Sequence, residues 1–206
     1  SDFVLDGGIH INRSPLGRDF YVLTSAQQAK LKGDLRTRSF TTVNAALNTC
    51  EANRGDKIFL CEGYTETISS ANQWSNVKAG VRIIGCGYGT MRPKLTWSAA
   101  NATLLLSAAN MTIENCQLEL AGDPASVTAL TVAAAITISA DGVKLLANHF
   151  QVGVDADQII TIGVFVNGAK KVEIAGCVFI GATAAEITAA GTVVRITAAD
   201  QFNFHD

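Results

Sequence analysis

A short pattern returns along this chain at intervals of about thirty residues, and that recurrence constrains the fold more than anything else in it. Residues 81–86 read VRIIGC, 111–116 MTIENC, 143–148 VKLLAN and 172–177 VEIAGC. Each copy runs apolar, polar, apolar, variable, then small or Asn, then Cys or Asn. The central aliphatics Ile83, Ile113, Leu145 and Ile174 lie 30, 32 and 29 residues apart, and a partial fifth copy places Phe204 another 30 residues on. Self-similarity at such a period is the signature of a stacked architecture, in which one unit cannot bury its apolar face until a neighbour covers it.

The repeat extends beyond the hexamer. Upstream stand alternating runs at 104–110 (LLLSAAN), 136–142 (ITISADG), 164–170 (VFVNGAK) and 193–200 (VVRITAAD). Downstream come 117–120 (QLEL), 149–152 (HFQV) and 178–180 (VFI). Each unit is therefore three short strands separated by corners rich in Gly, Asn, Asp and Ala. Asp141-Gly142 and Asn167-Gly168 are expected at the same corner of successive units, as stacked corners rather than hairpin turns. The fold expected is all-β, a parallel β-helix (solenoid). Ile83, Ile113, Leu145, Ile174 and Phe204 would form one ladder, and Cys86, Cys116, Asn148 and Cys177 another.

Residues 41–54 break the pattern. Val43, Ala46, Leu47 and Cys50 recur at helical spacing, Thr41 or Thr42 offers an N-cap and Gly55 a stop. A capping helix at about 41–54 would cover the first coil, whose core and strand edge would otherwise be open. The stack is expected to start at 57–61, giving a β-helix domain over 41–206. Residues 1–40 read as an N-terminal arm or loop, with a strand at 20–23.

With the repeat in hand, two runs resemble a known group. Residues 40–46 (FTTVNAA) followed by 55–68 (GDKIFLCEGYTETI) resemble the opening of right-handed β-helix proteins of the pectate-lyase-like superfamily. Residues 79–93 (AGVRIIGCGYGTMRP) resemble a version common among tailed-phage virion proteins. The resemblance covers about 40–206. It implies a right-handed coil and a homotrimeric capsid decoration (cement) or head-fibre protein. Such a protein would be made in the bacterial host cytoplasm and carried on the capsid surface, with the major capsid protein as partner. Longer members include tailspike depolymerases, so a carbohydrate-active or carbohydrate-binding β-helix, including a host-glycan receptor-binding protein, is the alternative. A non-catalytic surface adhesin is a third.

Composition narrows the choice. Apolar residues make up 48% and charged residues 17%, too apolar for a disordered chain. The net charge of -2 offers no general attraction to nucleic acid or anionic membrane, and no apolar run spans a bilayer. The opening residues carry no secretory pattern. Five cysteines lack zinc spacings and read as reduced, buried, small apolar residues of a protein made in a reducing cytosol.

Reactive clusters on a coil stack should appear as acids at equivalent positions of neighbouring coils. Outward positions beside the aliphatic ladder are Arg82, Thr112, Lys144 and Glu173, then Ile84, Glu114, Leu146 and Ala175, with no carboxylate above another. Asp123 and Asp155, with Asp157 close by, are the one stacked acidic pair. They read either as a Ca²⁺ or sugar site or as turn chemistry, turn chemistry being favoured. His149 has no visible partner, Trp74 and Trp97 suit corner packing or sugar stacking, and 85–89 (GCGYG) reads as a tight corner rather than a phosphate loop. The reading is of a non-enzyme with no catalytic, cofactor or metal residues.

Charge is uneven: residues 1–40 hold six basic and four acidic residues, whereas 111–206 hold four basic and ten acidic. Arg13, Arg18, Lys30, Lys32, Arg36 and Arg38 form either a solvated loop or a surface that docks on an acidic protein such as a capsid shell. Small-residue runs at Ala133, Ala134 and Ala135, at Ala184 and Ala185, and at Ala189 and Ala190 suit packing against another copy, and so a homotrimer.

Overall fold

The computed structural model describes residues 3–5, 9–11, 17–120, 130–151, 153–155, 158–180, 192–197 and 200–205. The thirty-residue period winds into a parallel β-solenoid of about four turns, preceded by short helices. Three parallel sheets run along its length. The first stacks Asp19–Val22, Lys57–Leu60, Arg82–Gly85, Thr112–Glu114, Lys144–Leu146, Glu173–Ala175 and Asn203–His205, with Ser39–Phe40 on its outer edge. Thr65–Ile68, Lys94–Trp97, Gln117–Leu120, His149–Gln151 and Val178–Ile180 make the second. Leu104–Leu106, Ile136–Ile138, Ile162–Asn167 and Thr192–Thr197 make the third. Antiparallel pairing among the described residues is confined to Phe3–Leu5 with Ile9–Ile11 and to Gly153–Asp155 with Gln158–Ile160, off the main stack.

The aliphatic ladder read from the sequence is in register. Ile83, Ile113, Leu145, Ile174 and Phe204 pair in that order, and Ile58 and Phe20 extend the column below Ile83. From Ile58 to Ile174 these side chains are fully enclosed, each stabilising the stack by roughly 1.5–3 kcal/mol. In the second sheet Leu95, Leu118, Phe150 and Phe179 form the equivalent column. The Phe150 and Phe179 rings stack at 4.6 Å. The third sheet adds Leu104, Ile136, Val164 and Val194.

Left-handed backbone at the corners keeps the coils congruent. Gly55, Gly80, Asn110, Gly142, Lys171 and Gln201 all have positive φ, and each lies two residues before a first-sheet strand. Their amides bond the next coil: Gly80 N to Ala109 O, Asn110 N to Asp141 O, Gly142 N to Lys170 O. Asp141-Gly142 and Asn167-Gly168 lie, as expected, at the same corner of successive coils, between the third sheet and the first. Within it Gly142 stands below Lys171 rather than Gly168, because the coil of Gly168 carries one more residue there. Gly168 takes up that residue at φ +73 and donates to Thr197 O.

A second corner follows the first sheet, with Asn115, Ala147 and Gly176 at positive φ. Asn148 is wholly buried there. Its Nδ2 donates to Ile113 O at 2.9 Å and its Oδ1 accepts from Cys116 N at 2.9 Å. The Cys/Asn ladder is thus partly polar inside, and Cys177 Sγ bonds Leu145 O at 3.4 Å as Asn148 Nδ2 bonds Ile113 O one coil below. Leu60 pairs with Gly85, so Cys61 joins the ladder beside Cys86.

The lower end differs from expectation. The stack does not start at Lys57: Asp19–Val22 is already a rung, bonded on one side to Lys57–Leu60 and on the other to Ser39–Phe40. Residues 17–40 are therefore built into the solenoid. The helix is Val43–Thr49, shorter than 41–54. Thr42 caps it, its hydroxyl accepting from Ala45 N at 3.3 Å. It ends at Cys50, whose backbone is extended, before Gly55 is reached. Val43, Ala46 and Leu47 are buried against the first rungs.

Gly85 has no room for a side chain, since a Cβ would lie 2.2 Å from Asn115 O. Gly85→Ala should destabilise the fold by about 2 kcal/mol or more. Lys171→Gly, which relieves a left-handed non-glycine, should raise stability by up to about 1 kcal/mol. Urea titration of both variants checks the pair.

Candidate functional site

Parallel register aligns outward side chains into columns, so the surface is read coil by coil. On the first sheet the column beside the aliphatic ladder is Asp19, Lys57, Arg82, Thr112, Lys144, Glu173 and Asn203. Its charges pair across coils. Arg82 bonds Glu114 at 2.8 Å, and Lys144 bonds Glu173 at 2.5 Å. His205 lies 3.3 Å from the other Glu173 oxygen. The hydrogen bonds from Lys144 and then His205 hold the Glu173 carboxyl below its ordinary range. On the second sheet Lys94 pairs with Glu119 at 2.6 Å. Such pairs tie neighbouring coils, each contributing modestly because it is exposed.

Among the described residues two carboxylates are buried, both near the helix-covered end, and the sequence reading singled out neither. Glu66 pairs with Leu95 and so occupies the lowest rung of the second sheet's inner column. It accepts from Val43 N at 2.8 Å, Tyr64 OH at 2.6 Å and Trp74 Nε1 at 3.2 Å. A helix lies there, and its first amide needs an acceptor that an aliphatic rung could not supply. Asp56 is fully enclosed. It accepts from Arg54 Nε at 2.7 Å and Nη2 at 2.6 Å, and from the amides of Arg18 and Glu51, each at 2.8 Å. Burial alone would raise its pKa, but the Arg54 fork and the two amides override that and hold it below the ordinary value. The signal was present as Arg54-x-Asp56 and Tyr64-x-Glu66, charged or polar pairs at strand period beside a positive-φ glycine.

The cysteines are free. Burial pushes the Cys50 and Cys116 thiols up to about 12 and raises Cys61, Cys86 and Cys177 as well. Among the described residues no group of three or more His, Cys, Asp or Glu comes within metal-binding range. Trp74 and Trp97 are both inside the core, so neither presents a face to a ligand. The side chains of Asp123, Asp155 and Asp157 lie outside the described residues.

Two surface clefts bring sequence-flagged residues together. The first lies on the outer face of the second sheet and encloses about 280 Å³ between Gln117, His149, Gln151, Ile180, Gly89 and Thr90. The excursion 86–93 overhangs it. Gly87 and Gly89 have positive φ and flank Tyr88, which is 83% exposed. Burial, then the Arg92 guanidinium, lowers the His149 pKa, so its imidazole is neutral at pH 7. The second cleft encloses about 480 Å³ between Arg18, Phe20, Asp34, Thr37, Arg38 and Thr49.

Of the six basic residues flagged in the sequence, the structure brings Arg18 and Arg38 into one cleft. Lys30 and Arg36 are exposed nearby, Lys32 is exposed in the same segment, and Arg13 lies outside the described residues. Of the small-residue stripe, Ala133 is exposed, Ala134 half-buried and Ala135 enclosed in the chain's own core. Ala135 is thereby removed from any contact surface, because it begins the turn into Ile136–Ile138. Ala184, Ala185, Ala189 and Ala190 lie outside the described residues.

Fold and surface together define a parallel β-solenoid with paired charges along its shaft and distinct ends. No family model, curated protein or solved structure matches this chain.

Acid should unfold the protein through Asp56. Its folded pKa lies below the unfolded value near 3.9, so the stabilisation is complete above that value and is lost as pH falls through the folded one. Asp56→Asn should cost about 3–5 kcal/mol at neutral pH and flatten the decline in stability below about pH 5. Denaturant midpoints across pH for both proteins measure this.

Proposed function

We propose that this chain is a non-enzymatic structural protein of a tailed-phage virion, a homotrimeric capsid decoration protein that binds and stabilises the head shell. One observation carries the reading: the basic segment 17–40, with its arginine-lined cleft, stands apart from the paired charges along the shaft. Apolar side chains are exposed elsewhere on the coils, Phe204 by 56%, Ile196 by 45%, and Val178 and Ile180 likewise. A shaft of in-register coils is stiff, so a partner bound at one end is held at a fixed distance from whatever the other end contacts. These exposed apolar side chains and the exposed sector at Ala133 supply surface for copies of the chain to meet. Contacts that bridge capsomers would add binding free energy to the closed shell.

The reading predicts a trimer in solution by light scattering after size exclusion. It also predicts density for the chain on the outside of purified heads, and heads that release DNA at lower temperature without it. A monomer at micromolar concentration overturns the trimer, and virions lacking the chain overturn the whole reading.

The second-sheet cleft favours an alternative, a saccharide-binding solenoid. Two glutamine amides and the His149 imidazole around Ile180 suit a neutral sugar, whose hydroxyls they would bond. Under that reading, neutral oligosaccharides shift the NMR signals of Gln117 and Gln151, and His149→Ala weakens the shifts. Unmoved signals across a panel of such sugars remove it.

A further inference from the structure

We propose that the cleft between Arg18 and Arg38 is a receptor for a carboxylate-bearing segment of a partner protein. The inference rests on the assembly reading above and names the chemistry of the contact. Two cations from different parts of the chain reach one open space of about 480 Å³. Their backbones are fixed by the sheet. Arg18 O accepts from Lys57 N at 2.9 Å, and Arg38 O accepts from Tyr21 N at 2.9 Å. Both residues thus stand immediately before a strand, with their carbonyls tied to the sheet.

The two guanidiniums are less fully engaged than that of Arg54. Arg54 uses its Nε and Nη2 together on Asp56, at 2.7 and 2.6 Å. Arg38 uses Nη2 on Asp34 at 2.8 Å, while its buried Nε has no partner. The side chain of Arg18 makes no hydrogen bond or ion pair among the described residues; its backbone amide alone is engaged, by Asp56. The Asp34 side chain is 84% exposed, so its bond to Arg38 is a surface pair that an incoming group can displace or share. A carboxylate that draws the Arg38 head outward satisfies Nε and places its second oxygen towards Arg18, the fork geometry that guanidinium favours.

Two guanidiniums against the single Asp34 carboxylate leave the cleft net positive, so it attracts an anionic group. The buried Phe20 floor suits an apolar neighbour of the acidic residue. With a net charge of -2 the chain as a whole gives no attraction to a polyanionic nucleic acid or lipid surface.

Titration of the full chain with a hexaglutamate peptide at low ionic strength, read by NMR and calorimetry, tests this. Saturable binding is expected, weakened about tenfold by Arg18→Gln and again by Arg38→Gln. The double variant Lys30→Gln/Lys32→Gln, in the same segment but outside the cleft, should change it less than about twofold. Arg18 is exposed and its side chain has no partner among the described residues, so Arg18→Gln should keep the fold, which a thermal melt verifies. The proposal fails if hexaglutamate does not saturate, or if the lysine variant loses as much as the arginine variants. It fails equally if inorganic phosphate or vesicles of anionic lipid bind more tightly than the peptide. Peptide binding by a chain absent from virions would keep the cleft and discard the capsid reading. A chain found on capsids that ignores the peptide would do the reverse.

Discussion

Vertical registry of inward side chains carries this structure. Each coil is a thin layer with no interior of its own, and its aliphatics become buried once the coils above and below place equivalent residues against them. The column from Ile58 through Ile83, Ile113 and Leu145 to Ile174 is enclosed because all five strands keep step. A one-residue slip would turn every side chain of a rung outward. The left-handed corners prevent such slips. Gly80, Asn110, Gly142 and Lys171 turn the chain at the same height on each coil, and their amides bond the next corner rather than water.

A stack of layers has a special problem at its ends, where the last rung has no neighbour. The lower end solves it with polar chemistry inside the apolar column. Glu66 stands where later coils place Leu95, Leu118 and Phe150, because there the column meets the start of the helix Val43–Thr49 instead of another strand. Asp56 and Arg54 fasten the same end by a buried fork, joined by amides from before the first rung and after the helix. Ile196 and Phe204 are exposed in the positions that Ile138 and Ile174 fill when covered.

Along the shaft, outward charges are tied up with one another. Parallel register brings Arg82 near Glu114, Lys94 near Glu119 and Lys144 near Glu173, so these charges of the solenoid's flank are paired across coils. Basic groups of segment 17–40 stand apart from those pairs, as does the amide-lined cleft of the second sheet. Recognition of anything outside the chain is best sought where the repeat is interrupted, since the repeat itself commits its polar groups to the neighbouring coil.

The sequence by itself determined the winding. The period near thirty, three strand runs per unit and corners of Gly and Asn are local properties. They repeat because every coil meets the same environment, so the ladder from Ile83 to Phe204 could be read directly. Tertiary structure decided whatever depends on an interruption of the repeat. Asp19–Val22 has no partner of similar sequence and becomes a rung through backbone pairing, which is blind to side chains. Glu66 looks like an outward strand residue until the helix is placed over it. Arg18 and Arg38 are 20 residues apart in the chain and line one cleft because each immediately precedes one of two short parallel strands that lie next to each other in one sheet. Periodicity transmits through sequence because it is enforced identically at every coil. Ends, insertions and clefts do not, because each is settled once, by whichever distant segment fills the space.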